Sequence, residues 1–226
     1  MKRLITLFAA VAFAGQAWAY DFKSGDLYYN ITSDSTVEVT YEAKDVDYLG
    51  LTNVIIPETV INNGITYSVT SIGSEAFSYC GVTSITIPEG VTQIGIAAFS
   101  NCHNLQSISI PASVTHIDFY AFNMCVSLKS IAIPQGITTI YAGTFGACES
   151  LTSVTIPNSV TTIGIEAFIG CNSLTSITIP EGVTSIEDGA FSRCRKLKDV
   201  SIPKSVTSVG ENAFRESKFK YKKKGK

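Results

Sequence analysis

Histidine is almost missing from this chain: His103 and His116 are the only two among 226 residues. Two imidazoles in variable positions are too few for a zinc site or a nucleophile–base triad, and both read as surface residues. The sequence also lacks H-E-x-x-H, G-x-S-x-G, a phosphate-binding loop and a dinucleotide fingerprint. Acids such as Glu89 and Glu181 recur just after proline, where they read as solvated turn residues and not as a catalytic carboxylate pair. An enzyme is therefore the remote reading, and no cofactor is implied. Charge is sparse, 16% against 45% hydrophobic residues, so the chain can bury a core and is not disordered overall.

Long apolar runs are missing as well. The longest, residues 4–14, falls short of the roughly 18 residues a membrane helix needs, so no membrane span is expected. That run instead follows Lys2 and Arg3 and leads to Ala17-Trp18-Ala19, the pattern of an export signal with a small-x-small cleavage site. Residues 1–19 are expected to be a signal peptide, and the mature chain is expected to be secreted, periplasmic or cell-surface associated. No cysteine follows the cleavage site, which argues against lipid attachment there. Nucleic acid is discounted as a partner of an exported chain.

The charge that is present is polarised. From residue 215 onward seven Lys and Arg face one acid, Glu216, whereas residues 20–214 hold eight bases against eighteen acids. The body is acidic and its end, KFKYKKKGK, is basic.

What the chain has in abundance is repetition. Cysteines at 80, 102, 125, 148, 171 and 194 recur every 22 or 23 residues. Phenylalanines at 77, 99, 122, 145, 168, 191 and 214 keep the same beat, and all seven prolines occupy one slot of it. Within a unit, Ile117, Ala121, Cys125 and Leu128 lie at i, i+4, i+8 and i+11, the spacing of one face of a helical or 3-10 segment. In SIAIP the period drops to two, with Ile131 and Ile133 on one side of a strand and Ser130 and Ala132 on the other. Pro134, lacking an N–H, ends that strand, and Pro134 and Gly136 suit the second and fourth positions of a type I turn.

One such unit cannot bury its own Phe, Leu and Ile, but stacked copies cover one another. The expected fold is an α/β solenoid with one short parallel strand and one helical or 3-10 turn per 23-residue repeat. Residues 20–71 form an N-terminal β cap that includes a first irregular repeat, in which STVEVTY and LYYNIT could pair and Asn63-Gly64 signals a hairpin. Residues 72–208 hold six repeats, and 209–226 a partial repeat with the basic tail.

The recurring Leu-x-Ser-Ile-x-Ile-Pro, preceded by Ile-Gly-x-x-Ala-Phe-x-x-Cys, resembles leucine-rich repeats of the BspA-like type over about residues 54–214. The L-x-x-L-x-L signature is matched by Leu128, Ile131 and Ile133, although Gly136 or Ser113 stands where an asparagine ladder would run. The resemblance implies a right-handed leucine-rich stack. It also implies an exported, non-enzymatic adhesion or ligand-binding scaffold that presents an extended sheet face to proteins or glycans of host or neighbouring cells. A structural spacer or assembly component of the cell envelope is the alternative.

Several positions could carry binding. The outward sheet slots, from Ser84 and Thr86 to Asp199 and Ser201, are small and hydroxylated, a face suited to weak multivalent contact at most. Phe119, Tyr120 and Met124 break the monotony of the third unit and form a candidate partner-binding cluster, unless their rings only fill space between loops. Lys218, Lys220, Lys222, Lys223, Lys224 and Lys226 form a candidate electrostatic tail for polyanions, unless they only solubilise the end of the stack. The cysteines are expected to form a buried thiol column, because stacked residues about 4.8 Å apart exceed the ~3.8 Å mean Cβ separation of a disulfide.

Overall fold

In the computed structural model, which describes residues 20–41, 48 and 50–221, each repeat makes one coil of a solenoid. The expected signal peptide and Lys222, Lys223, Lys224 and Lys226 lie outside the described residues. Each coil contributes a three-residue strand to one face, and these pair in parallel register in three short groups: Asn53–Ile55, Ser84–Thr86 and Ser107–Ser109; Ser130–Ala132 on Ser153–Thr155; and Ser176–Thr178 on Asp199–Ser201. Alternation then puts Ile131 and Ile177 in the core and the flanking Ser, Ala and Thr in solvent.

Two features of the coil differ from expectation. Each coil carries two strands, not one: a second ladder runs through Thr139–Ile140, Thr162–Ile163, Ser185–Ile186 and Ser208–Val209. Ile117 and Ile140, expected on a helical face, end strands of this kind. Nor is there a helix or 3-10 segment among the described residues, so the helical return is replaced by linked turns.

The backbone explains the replacement. Ala97, Phe99 and Asn101 donate their N–H groups to the Phe119, Ala121 and Asn123 carbonyls of the next coil at 2.8–2.9 Å. Ala98, Ser100 and Cys102 donate three residues back, to Gly95, Ala97 and Phe99. Half of the amides a helix would use internally thus bridge to the neighbouring coil. The conformation needs left-handed residues four apart, such as Tyr120 (φ 57°) and Met124 (φ 58°), and these interrupt any helix. The proline turn also sits one residue later than expected, with Ile137 N–H bonded to Pro134 C=O at 3.1 Å, while Ile133 N–H stays in the ladder on Thr155 C=O.

Side chains stack in columns. The phenylalanines from Phe77 to Phe214 lie face to face with centroids 5.2–5.6 Å apart and planes within 13°. Every one of the six cysteines is free and buried. Each thiol donates to a carbonyl of the preceding coil, from Cys80 on Tyr48 to Cys194 on Phe168, at 3.0–3.3 Å. Where an asparagine ladder would run, hydroxyls serve: Ser113 and Ser159 donate to Val91 and Ile137 carbonyls at 2.7 Å.

Both ends are closed by aromatic residues. At the start, Phe22–Ser24, Leu27–Ile31 and Thr36–Thr40 form an antiparallel meander, and Thr36–Thr40 pairs in parallel with Ile65–Ile72. Asn63 and Gly64, both at positive φ, join Thr59–Asn62 to Ile65–Ile72 in a hairpin. Tyr48 stacks on Phe77 at 4.9 Å, and its hydroxyl accepts Tyr28 N–H and donates to Thr40 C=O. At the far end Phe219 stands edge-on to Phe214 at 5.0 Å, with its N–H on Leu197 C=O. Phe219→Ala is expected to cost about 1–2 kcal/mol and to speed amide exchange in residues 197–214, which native-state hydrogen exchange would show.

Candidate functional site

The left-handed turns that replace a helix decide which side chains leave the core. Residues on this flank point outward at fixed slots, one coil above another, about 4.8 Å apart. In the outward slot before the first left-handed residue stand Ile96, Phe119, Ala142 and Ile165, followed by Asp188 and Glu211 in later coils. Ile96, Phe119 and Ile165 are exposed, as are Tyr120 and Met124 in the third coil. The three residues singled out in the sequence therefore share one flank, and Phe119, Tyr120 and Met124 are 41%, 46% and 40% exposed.

Their surroundings show how they are held. Phe119 meets Tyr141 at 4.9 Å between centroids, and Tyr141 meets His116 at 5.2 Å. His116 Nε2 lies 3.7 Å from Asp118 Oδ2, while Asp118 Oδ1 accepts the Phe119 N–H at 2.8 Å. The Tyr120 ring lies across Gly143 of the next coil, so close that a Cβ there would overlap it. The rings therefore pack on their neighbours and still leave almost half of their surface to solvent. Ile96, Tyr141 and Ile165 complete this ridge and were missed in the sequence. The signal was there in Tyr141, which occupies a slot held by glycine at Gly73, Gly95, Gly164 and Gly210.

The other two candidate surfaces read differently. The outward strand slots from Ser84 to Ser201 are all exposed and uniformly small, apart from Asp199. At the C-terminal end Lys218 and Lys220 are exposed, but the segment between them is not a free tail, because Phe219 packs, partly buried, against the core and Lys220 Nζ donates to Ser217 C=O at 3.3 Å. The basic surface also begins earlier than expected: twelve of the seventeen Lys and Arg fall from Arg193 onward, against three acids. Arg193 and Arg215 approach Glu216 at 3.9 and 3.8 Å, exposed pairs that stabilise little.

Burial pushes the Cys148 thiol up to about 12 and raises Cys80, Cys102, Cys125 and Cys171 in the same direction. Such thiols are poor nucleophiles at neutral pH. No helix among the described residues is long and apolar enough to cross a membrane.

Comparison with known proteins adds to this geometry. Among curated proteins none matches the chain. Solved structures do. A leucine-rich repeat protein from Treponema pallidum is 31% identical with a TM-score of 0.73, covering 84% of this chain and 86% of its own. One from Bacteroides ovatus is 34% identical with a TM-score of 0.68 over 89% of this chain, which spans only 58% of that protein's length. A leucine-rich cell surface protein from Faecalibacterium prausnitzii is 26% identical with a TM-score of 0.51, covering 85% of this chain and 73% of its own. A family model described as "BspA type Leucine rich repeat region (6 copies)" matches residues 47–174 and 161–223. With the coils, their register and these matches in agreement, the chain belongs to the BspA-type leucine-rich repeat family.

Proposed function

We propose that the chain is a non-enzymatic scaffold, exported and held at or near the cell surface, that binds a protein or glycan of a host or neighbouring cell. The observation that carries this reading is the apolar ridge of exposed Ile96, Phe119, Tyr120 and Ile165 with half-buried Tyr141 among them, on a flank whose backbone is tied coil to coil. Aromatic anchors on a rigid support lose little conformational entropy on binding, which is why such residues dominate binding energy at interfaces. The ridge replaces the sheet face as the main contact, since the strands offer only small hydroxylated side chains. The basic end adds long-range attraction for acidic partners, screened by salt over about 10 Å. The export signal expected at residues 1–19 and the similarity to a leucine-rich cell surface protein support the location.

One experiment tests the reading: residues 20–226 on a glycan and matrix-protein array, alongside Phe119→Ala/Tyr120→Ala. The double variant is expected to lose about tenfold or more in affinity, a change of ~1.4 kcal/mol in binding. Its stability should move by less than about 1 kcal/mol, because both rings are half in solvent already. A third arm removes residues 222–226 only, since a cut at Lys218 would also remove Phe219, which packs against the core. Loss of binding in that arm, with steep salt dependence, would transfer the role to the basic end. Absence of any ligand would favour the monotonous stack as an envelope spacer.

A further inference from the structure

The outer strand ladder begins with Asn53–Ile55, and among the described residues this first strand is paired on one side only, with Ser84–Thr86. Thr52 C=O accepts from Ser84 N–H, and Ile56 N–H donates to Thr86 C=O. By the alternation of a parallel ladder, the N–H and C=O groups of Asn53 and Ile55 face the opposite, open side. An unpaired edge of this kind is a template for another strand.

Beyond that edge lies a gap of about 490 Å³. The turn Ser24–Leu27 of the first hairpin and the strand Thr59–Ile61 wall it, with Leu51, Val54 and Pro57 along its sides. Tyr29 forms part of the wall; it is fully buried, and among the described residues its hydroxyl has no hydrogen-bond partner. A buried hydroxyl left unsatisfied is costly, so its presence beside a cleft points to a group that arrives from outside. Burial pushes Tyr29 up to about 12, which keeps it a neutral O–H able to donate or accept. Ile55 and Ile61 stand at the rim, 77% and 67% exposed. The surroundings are acidic: Asp26 lines the gap, and residues 20–89 hold ten acids against two bases.

We infer that this N-terminal cleft receives an extended polypeptide segment of a partner protein, which adds as a strand to Asn53–Ile55 with an apolar residue in the gap and basic residues beside it. Two N–H/C=O pairs about two residues apart along one edge match the spacing of another backbone. An acyl chain would fill the apolar walls and leave those groups and the Tyr29 hydroxyl unmet. A sugar would leave Ile55 and Ile61 uncovered. The acidic rim selects basic flanking residues by charge complementarity.

The test uses residues 20–226 labelled with ¹⁵N and the blocked peptide acetyl-Lys-Val-Thr-Ile-Lys-amide as probe. Saturable shifts of the Asn53 and Ile55 amides are expected. Binding should weaken at least tenfold when alternate peptide amides are N-methylated, and about tenfold when both lysines become glutamate. Tyr29→Phe should weaken it several-fold, and the N-methylated arm leaves the protein unaltered should that variant fold poorly. The Phe119→Ala/Tyr120→Ala variant should bind the peptide unchanged, so this inference and the reading of the ridge fail separately. Equal binding of the N-methylated peptide, shifts confined to the ridge, or perturbation of Asn53 and Ile55 only by an oligosaccharide or a fatty acid would overturn it.

Discussion

Phe145→Ala is expected to lower the unfolding free energy by about 3–5 kcal/mol, the range for removing a fully buried ring. Phe145 is 1% exposed and lies between Phe122 at 5.6 Å and Phe168 at 5.3 Å, both rings nearly parallel to it. The vacancy therefore opens between two coils that are held by each other, and no side chain within the same coil can collapse into it. Its amide also bridges coils, Phe145 N–H to Ala167 C=O at 2.8 Å, so a shift of one ring strains the neighbouring turn. Urea unfolding gives the loss in stability, and native-state hydrogen exchange should show faster opening in both flanking coils. The same change at Phe119, 41% exposed, should cost under about 1 kcal/mol. A loss below that value at Phe145 would mean that coils do not depend on their neighbours for cover, and the account of the stack would fall.

That dependence is what made the fold readable from the residues. A period of 23 with Phe, Cys and Leu in constant slots demands columns, and the structure has them. The strand around Ile131 follows from its alternation, because one face must be apolar and the other wet. The return segment was misread for a physical reason. Ile117, Ala121 and Cys125 recur at four-residue intervals, which suits a helix face, but it suits equally a run of turns in which every second amide leaves for the next coil. Spacing along one chain does not distinguish a bond to residue i−4 from a bond to residue i+22. Glycine does carry the difference: Gly143, Gly170 and Gly189 fall on slots that are left-handed in coil after coil, with φ of 63–70°. The ridge was half legible. Phe119, Tyr120 and Met124 stood out within one repeat, whereas Tyr141 and Ile165 join them only through the vertical neighbours that stacking creates. The open edge at Asn53–Ile55 has no sequence signal, since a strand does not announce on which side it lacks a partner.

Alkaline pH should undo the protein well before its lysines titrate. In the unfolded chain a thiol loses its proton near pH 8.5. In the folded chain burial raises Cys80, Cys102, Cys125, Cys148 and Cys171, with Cys148 pushed up to about 12. The unfolded state then binds fewer protons than the native state, so stability falls as pH rises, starting near the unfolded pKa. One pH unit above that point each thiol that stays protonated in the fold withdraws about 1.4 kcal/mol, so the most deeply buried ones, Cys102, Cys125, Cys148 and Cys171, together remove several kcal/mol. A loss of that size rivals the about 5–15 kcal/mol that holds an ordinary domain together. Above pH 10, Tyr29, raised to about 12 by burial, adds to the same trend. Urea midpoints measured under reducing conditions at pH 7, 8, 9 and 9.5 should drop steeply over the last two steps. Cys125→Ala/Cys148→Ala will start lower but should lose about 3 kcal/mol less between pH 7 and 9.5, because two of the titrating groups are gone. The thiols should also resist alkylation at pH 7.5 until urea unfolds the chain, each being held on a backbone carbonyl of the preceding coil. A pH profile that stays flat to 9.5 would mean that the thiols are not sealed between coils, and the hydrogen-bonded column would have to be abandoned.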